Sequence, residues 1–170
     1  MKFYTAEMVN RWNGDILGTN KDKYDREWDE AQDNYDRHYA RLADGFPASV
    51  RKFAELVLHN ESVVTLPRTL DGENRVVGYV HNDEYTVVTA SQRDSVAHVV
   101  TYTLEKPPVV VKHDGGGFDP PENVAVWLYD EFDVDDAGLF KHSILFSNGV
   151  ELVVTFQTMH WYECAIQEEG

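Results

Sequence analysis

The clearest structural signature in this chain is Phe140-Lys141-His142-Ser143-Ile144-Leu145-Phe146-Ser147-Asn148-Gly149-Val150-Glu151-Leu152-Val153-Val154-Thr155-Phe156. Two strand-like runs flank an Asn-Gly pair, which is typical of a β-hairpin. A two-residue turn would mix apolar and polar residues on each face, whereas a three-residue loop that pairs Phe146 with Val150 collects the apolar residues on one face. Because a slip of one residue moves every side chain to the opposite face, the pattern predicts the three-residue loop, with Gly149 in the left-handed conformation.

This register places His142 on the apolar face of the hairpin. The strand expected over residues 124–132 precedes the hairpin and pairs with its first arm. If Val134 pairs with Leu139, Glu131 lies opposite His142, and a buried imidazole beside a carboxylate satisfies both groups. The sequence therefore predicts a buried contact between the side chains of Glu131 and His142.

Helical and β-type patterns occupy different parts of the 170-residue chain. Residues 1–60 have helical periodicity, and residues 61–170 form short strand patterns separated by turn sequences at 71–72, 115–117 and 120–121. Helices are predicted over about 5–12, 21–43 and 47–59, and strands over 62–67, 75–81, 85–90, 96–104, 108–112, 124–132, 139–147, 150–157 and 160–166. Helices followed by strands predict a single α+β domain, with N-terminal helices packed on a mostly antiparallel β-sheet.

The helix predicted over residues 21–43 carries an aromatic stripe. Its apolar positions recur at spacings of 4, 3, 4, 4 and 3, which keeps them on one helical face; they are Tyr24, Trp28, Ala31, Tyr35, Tyr39 and Leu42. Opposite charges at i,i+4 line the other faces, as in the pairs Asp22/Arg26, Lys23/Glu27 and Asp33/Arg37. Helical spacing favours packing of the stripe in the core. The alternative is an exposed ridge that binds a partner.

Acidic residues dominate the second part of the chain. The net charge is −15 at pH 7, with nine basic and eleven acidic side chains in residues 1–60 and six basic and nineteen acidic in residues 61–170. Binding to nucleic acid or to anionic membranes requires a basic footprint that this sequence lacks. The acidity therefore serves solubility, or it serves contact with a basic protein.

The sequence carries no pattern typical of a cofactor, a metal or a membrane segment. The acidic loop at residues 133–138 departs from a calcium loop, because Ala137 and Ile144 stand where oxygen ligands are needed. The seven histidines and the single cysteine are not spaced as zinc ligands, and no apolar run approaches the ~20 residues of a membrane helix. We therefore expect no cofactor, no metal, no membrane contact and a cytoplasmic location.

Several segments resemble a family of small bacterial proteins of unknown function. The segments are Lys2-Phe3-Tyr4-Thr5, Phe46-Pro47, Leu58-His59-Asn60, Trp127-Leu128-Tyr129-Asp130-Glu131-Phe132 and the hairpin from Phe140 to Leu152. In that family a Leu-His-Asp segment follows the helices, and a Leu-Tyr-Asp-Glu strand precedes a His-x-Ile-Leu-Phe-Ser-Asp/Asn-Gly hairpin. This chain has Asn60 where the family pattern has Asp. The resemblance implies a bacterial, intracellular α+β protein and no particular activity.

Four ionisable residues on adjacent predicted strands form the strongest site candidate: Tyr129, Asp130, Glu131 and His142. Two carboxylates and a histidine are the groups used in general acid–base catalysis and in binding divalent metals. The favoured alternative is a polar cluster that fixes the hairpin register, because ion-pair networks also arise for structural reasons.

The favoured functional hypothesis is a non-catalytic binding or interaction module with an acidic face that meets a basic protein. The residues expected in that contact are Asp130, Glu131, Asp133, Asp135 and Asp136, and Asp130, Glu131 and the loop at residues 133–136 are expected to be the most exposed charges. The alternative is a metal-dependent or acid–base enzyme that uses His142 with Glu131 or Asp130. A third hypothesis is that the acidity serves solubility alone and that a partner binds the aromatic helix.

Overall fold

The computed structural model describes residues 1–14, 20–63, 79–91, 95–113 and 125–166. Its helices are α1 (Ala6–Gly14), α2 (Lys21–Leu42) and α3 (Ala48–Phe53), with a short 3-10 helix at Ala43–Gly45. Its strands are β1 (Ser62–Val63), β2 (Tyr79–His81), β3 (Glu84–Ser91), β4 (Val96–Leu104), β5 (Val109–Lys112), β6 (Ala125–Val134), β7 (Phe140–Phe146) and β8 (Val150–Ala165). The predicted turns at 71–72, 115–117 and 120–121, and parts of the first two predicted strands, lie outside the described residues.

Six strands pair in a closed antiparallel ring, in the order β1, β6, β7, β8, β4, β3 and back to β1. In addition, β2 pairs with β3, and β5 pairs with the first residues of β8. The chain thus combines helices with a six-stranded barrel, and the predicted α+β class is confirmed. Closure is not predicted from the sequence, because it depends on the two-residue strand β1, which pairs with both β3 and β6.

The barrel interior and α3 contribute to one hydrophobic core. Phe53 of α3 makes edge-to-face ring contacts with Trp127, Phe132 and Trp161 at centroid distances of 6.3, 6.1 and 5.8 Å. The three rings Trp127, Phe53 and Phe132 are almost completely buried. Side chains fill the interior of small barrels, so a residue on the inward face of these strands lies in packed protein.

β7 and β8 form the predicted hairpin in the predicted register. Leu145 pairs with Glu151, which brings Phe146 opposite Val150. The amide of Gly149 donates to the carbonyl oxygen of Phe146 at 3.0 Å, and Gly149 has a φ of 76°. The three-residue loop with a left-handed glycine is therefore confirmed.

The pairing of β6 with β7 differs by one residue from the prediction. Val134 pairs with Phe140, and Phe132 lies opposite His142. Glu131 consequently points to the opposite face of β6, because side chains alternate along a strand. The predicted contact between Glu131 and His142 is wrong.

The Asp135 side chain accounts for this shift. Its Oδ1 accepts hydrogen bonds from the amides of Ala137 and Leu139 at 2.9 and 3.0 Å. The Asp135 amide also donates to the Leu139 carbonyl oxygen at 2.9 Å. The backbone of Asp135 therefore pairs with Leu139 across the loop, and Val134 pairs with Phe140 instead. An aspartate that binds backbone amides two and four residues ahead favours such a tight turn.

Two predicted element boundaries are also wrong. α3 ends at Phe53 rather than near residue 59, and Asn60 has a left-handed φ of 72°, which no helix continues through. The predicted break between residues 157 and 160 is absent, because β8 runs unbroken from Val150 to Ala165 with only a register shift against β4.

We expect Gly138→Ala to destabilise the fold by about 1–2 kcal/mol, the usual cost of a left-handed L-residue. Gly138 has a φ of 81°, and a Cβ there would meet no atom within 4 Å, so the cost arises from the backbone alone. The matched control is Gly45→Ala, where the space is equally open and φ is not left-handed. Urea unfolding of both variants tests this, and equal stabilities would contradict it.

Candidate functional site

The structure joins two of the predicted site residues in the barrel interior. His142 Nε2 lies 2.9 Å from Asp130 Oδ2, and His142 Nδ1 lies 2.7 Å from the Tyr102 hydroxyl. A carboxylate only accepts hydrogen bonds, so Nε2 donates to Asp130, and in the neutral imidazole with this tautomer Nδ1 accepts from the tyrosine hydroxyl. The result is a chain of hydrogen bonds that links β4, β7 and β6.

The surroundings of His142 are closed and aromatic. Its ring stacks on Phe132 at a centroid distance of 3.9 Å, and the indole Nε1 of Trp127 donates to Asp130 Oδ1 at 2.9 Å. His142 and Tyr102 are both 0% exposed. Burial, together with the nearby Asp130 carboxylate, raises the pKa of Tyr102 well above its ordinary value. Tyr102 therefore stays a neutral hydroxyl that fixes the imidazole.

Glu131, the next residue along β6, makes a different contact on the outer face. Its carboxylate accepts hydrogen bonds from the backbone amides of Lys2, Phe3 and Tyr4, each at 2.7 Å. Glu131 is only 4% exposed. A carboxylate that accepts several amide hydrogen bonds forms strong, charge-assisted contacts, so Glu131 anchors the N-terminal segment to β6.

Tyr129, the fourth predicted site residue, belongs to an aromatic layer on this outer face. Its ring lies 4.5 Å from Trp28 and stacks 5.1 Å from Tyr4, between ring centroids. The predicted four-residue cluster is therefore divided. His142 is buried and meets Asp130, whose side chain is 25% exposed, while Tyr129 and Glu131 contact the N-terminal part of the chain.

Most of the predicted acidic contact set is engaged within the protein. Asp133 Oδ1 lies 2.8 Å from His38 Nε2, and Asp135 Oδ2 accepts from Lys106 Nζ at 2.9 Å. Asp136 is exposed, and no ion pair of its side chain occurs within the described ranges. The expectation that this set holds the most exposed charges is wrong for Glu131, whose carboxylate accepts hydrogen bonds from backbone amides. It is also wrong for Asp130, Asp133 and Asp135, whose side chains are 25%, 18% and 22% exposed.

We expect Asp133→Asn to reduce the acid sensitivity of the fold. Burial alone would raise the pKa of Asp133, but hydrogen bonds from His38 and the Val134 amide lower it below 3.8. A lowered folded-state pKa contributes stability above the ordinary pKa of aspartate, and that stability is lost as the pH falls through the lowered value. Urea unfolding between about pH 4 and pH 2 should show a shallower decline in the variant. An unchanged slope would contradict the prediction, and Asp136→Asn is the control.

Sequence reasoning missed a second polar cluster inside the barrel. Glu61 Oε2 accepts from the Thr89 hydroxyl at 2.6 Å and lies 3.1 Å from His98 Nδ1. His98 Nε2 lies 3.5 Å from Glu163 Oε1. Thr89 and His98 fall on the inward positions of β3 and β4, which the alternation of those strands indicates. The contact to Glu61 depends on closure of the barrel, so no local pattern reveals it.

Within the described ranges, no three His, Cys, Asp or Glu side chains are arranged to hold a metal ion. None of the described helices is both long and apolar enough to cross a membrane. Comparison with family models and with curated proteins finds no match to this chain.

Proposed function

We propose that this protein is a non-catalytic binding module whose helical layer, placed on the outside of the barrel, meets a basic protein partner. The observation that carries the proposal is the complete burial of His142 and Tyr102. A general base must reach a substrate proton directly or through one water, and these side chains face packed aromatic rings. His142 and Tyr102 are therefore assigned to the fold, and Asp130, with 25% of its side chain exposed, is the member of the chain that solvent reaches.

The position of α2 on the barrel supports this proposal. Trp28 contacts Tyr129, the Tyr35 hydroxyl accepts from the Phe132 amide at 2.9 Å, and His38 lies 2.8 Å from Asp133 Oδ1. Successive turns of α2 thus follow β6 along its length. The aromatic stripe takes up the inner face of the helix, and its polar face is turned outward.

The outer face of α2 carries carboxylates without basic partners. Four are exposed, and none forms an ion pair with any described residue: Asp29, Glu30, Asp33 and Asp36. Of the predicted i,i+4 pairs, Lys23 and Glu27 form a salt bridge at 3.9 Å. Arg37 instead donates through Nε to the backbone carbonyl of Asp33 at 3.0 Å, and the Asp33 carboxylate is left unpaired.

We call the four exposed carboxylates of α2 the acidic face: Asp29, Glu30, Asp33 and Asp36. Asp136, exposed in the loop between β6 and β7, adds a further negative charge. The net charge of −15 adds a long-range attraction toward cationic surfaces. Complementary charge accelerates association and selects the partner more than it adds affinity. The proposed relation to the bacterial family is consistent with a cytoplasmic protein partner.

The test compares two charge-reversal variants in affinity capture from source cells at low and at high salt. Glu30→Lys/Asp33→Lys/Asp36→Lys reverses three charges on the acidic face. Glu55→Lys/Asp83→Lys/Glu84→Lys makes the same change at exposed positions elsewhere. We expect one basic protein to be retained at low salt by the wild type and by the second variant, and lost by the first. Equal retention by both variants, or no retained protein, would contradict the proposal.

A further inference from the structure

A small pocket lies where α1, α2 and β6 meet. Its volume is about 170 Å³, and it is lined by Trp12, Asp25, Trp28, Asp29 and Tyr129. Asp25, Trp28 and Asp29 are at i, i+3 and i+4 of α2, and helical geometry places such residues on one face. Trp12 is contributed by α1, and Tyr129 by the outer face of β6.

Aromatic rings form the walls of this pocket. The Trp28 and Tyr129 centroids are 4.5 Å apart with planes inclined by 58°, and the Trp12 and Trp28 centroids are 6.3 Å apart with planes inclined by 45°. The rings are therefore inclined rather than stacked in parallel, and all three border the same space. Burial raises the pKa of Tyr129 to about 12, so its ring belongs to a neutral phenol.

Two carboxylates give the pocket a negative rim. Asp25 Oδ1 accepts from Trp12 Nε1 at 3.2 Å, and its Oδ2 accepts from Lys21 Nζ at 2.6 Å. Asp25 thereby holds the Trp12 ring in place. Asp29 is exposed, and across the described ranges no ion pair involves its side chain. The negative charge of Asp29 is thus available to a bound cation.

We propose that this pocket binds an alkylated ammonium group. Aromatic faces attract cations, and cages of aromatic rings recognise quaternary ammonium groups. An alkylated ammonium cannot use all the hydrogen bonds of a primary amine, and its methyl groups fit an apolar wall. The shared chemistry is a trimethylammonium group, carried either by a free small molecule or by a trimethylated lysine. This inference goes beyond the proposed function, because it concerns a single bound group.

The first test is a titration of the whole protein with choline, in which binding is monitored by tryptophan fluorescence and by NMR. The matched neutral ligand is 3,3-dimethylbutan-1-ol, which has the same shape without the charge. We expect saturable binding of choline and at least roughly tenfold weaker binding of the alcohol, given the strength of desolvated cation–π contacts. Equal binding of the two would overturn the proposal.

A second titration distinguishes the sources of the ligand. A peptide carrying trimethyllysine is compared with the same peptide carrying unmodified lysine. Preference for the methylated peptide over choline assigns the site to a protein side chain, and preference for choline assigns it to a free small molecule. Absence of binding by both overturns the proposal.

Variants then locate the site. Trp12→Ala should weaken binding of the better ligand at least roughly tenfold, and Asp29→Asn about fivefold. Glu30→Gln, the neighbouring carboxylate outside this pocket, should leave the affinity unchanged. Unchanged affinity in Trp12→Ala, with its fold verified by urea unfolding, contradicts the proposal. The triple reversal on the acidic face leaves Asp29 in place, so loss of partner capture and loss of ammonium binding are separable.

Discussion

His142→Ala is expected to lower the free energy of unfolding by about 3–5 kcal/mol. The substitution removes a ring that is 0% exposed and stacked on Phe132 at 3.9 Å. It also leaves the Tyr102 hydroxyl and one oxygen of Asp130 without their partner. A buried polar group that loses its partner costs about 1–3 kcal/mol, and the cavity adds to that cost.

The measurement is urea unfolding followed by far- and near-ultraviolet circular dichroism. The control is His160→Ala, which changes an exposed histidine of β8 and should remain within about 0.5 kcal/mol of the wild type. If the His142→Ala protein were as stable as the wild type, His142 would not contribute to the stability of the fold. That result would then revive the hypothesis of an acid–base or metal-dependent enzyme.

Glu131→Gln is the second substitution with a large expected effect, a loss of about 2–4 kcal/mol. The carboxylate accepts three backbone amides through two oxygens, with Lys2 on Oε2 and Phe3 and Tyr4 on Oε1. Glutamine has only one acceptor oxygen, so its amide nitrogen would meet a backbone donor. The remaining bonds would also lose the assistance of the negative charge.

Urea unfolding and hydrogen exchange test this prediction together. The amides of residues 2–4 should lose protection in Glu131→Gln, while those of β7 and β8 keep theirs relative to global stability. Glu55→Gln is the control, because Glu55 is exposed. If the amides of residues 2–4 exchange equally fast in wild type and variant, the carboxylate does not anchor that segment in solution.

The acidic residues show why net charge is a poor guide to surface charge here. Glu131 binds backbone amides, Asp130 binds an imidazole and an indole, and Asp135 binds a lysine and two amides. The donors to Glu131 and Asp130 are largely buried and would otherwise be unsatisfied, whereas the Lys106 partner of Asp135 is 53% exposed. The exposed carboxylates include those of α2 and Asp136, and also Glu55, Asp83 and Glu84, and local composition does not distinguish them from the carboxylates engaged within the protein.

Much of the local structure follows from the sequence. Thr5 was expected to begin the first helix, and its Oγ1 accepts from the Met8 amide at 3.2 Å. The aromatic stripe of α2 packs inward in part: Ala31 is buried, and the partly buried Trp28 and Tyr35 are in ring contact with Tyr4. These features depend on periodicity and on neighbours within a few residues, so a sequence pattern is sufficient to find them.

The candidate site follows from the sequence only in part. His142 was expected on the buried face and lies there, because the hairpin pattern fixes which side chains point inward. Its partner was misassigned, since a single aspartate in the loop moved the register of β6 by one residue. The sequence does not predict Tyr102 as a partner of His142, because these two residues are 40 positions apart in the chain and meet only in the assembled barrel.

The hairpin register, the inward position of His142 and the amphipathic character of α2 follow from local sequence patterns. These depend on side-chain alternation and helical spacing, which act over a few residues. Closure of the sheet and the placement of Glu131 and Asp130 on opposite faces of β6 are seen only in the folded structure. The same holds for the position of Trp12, Trp28 and Tyr129 around one pocket. These features depend on contacts between segments that are distant in the chain. The stabilising free energy comes from burying apolar surface of several elements at the same time.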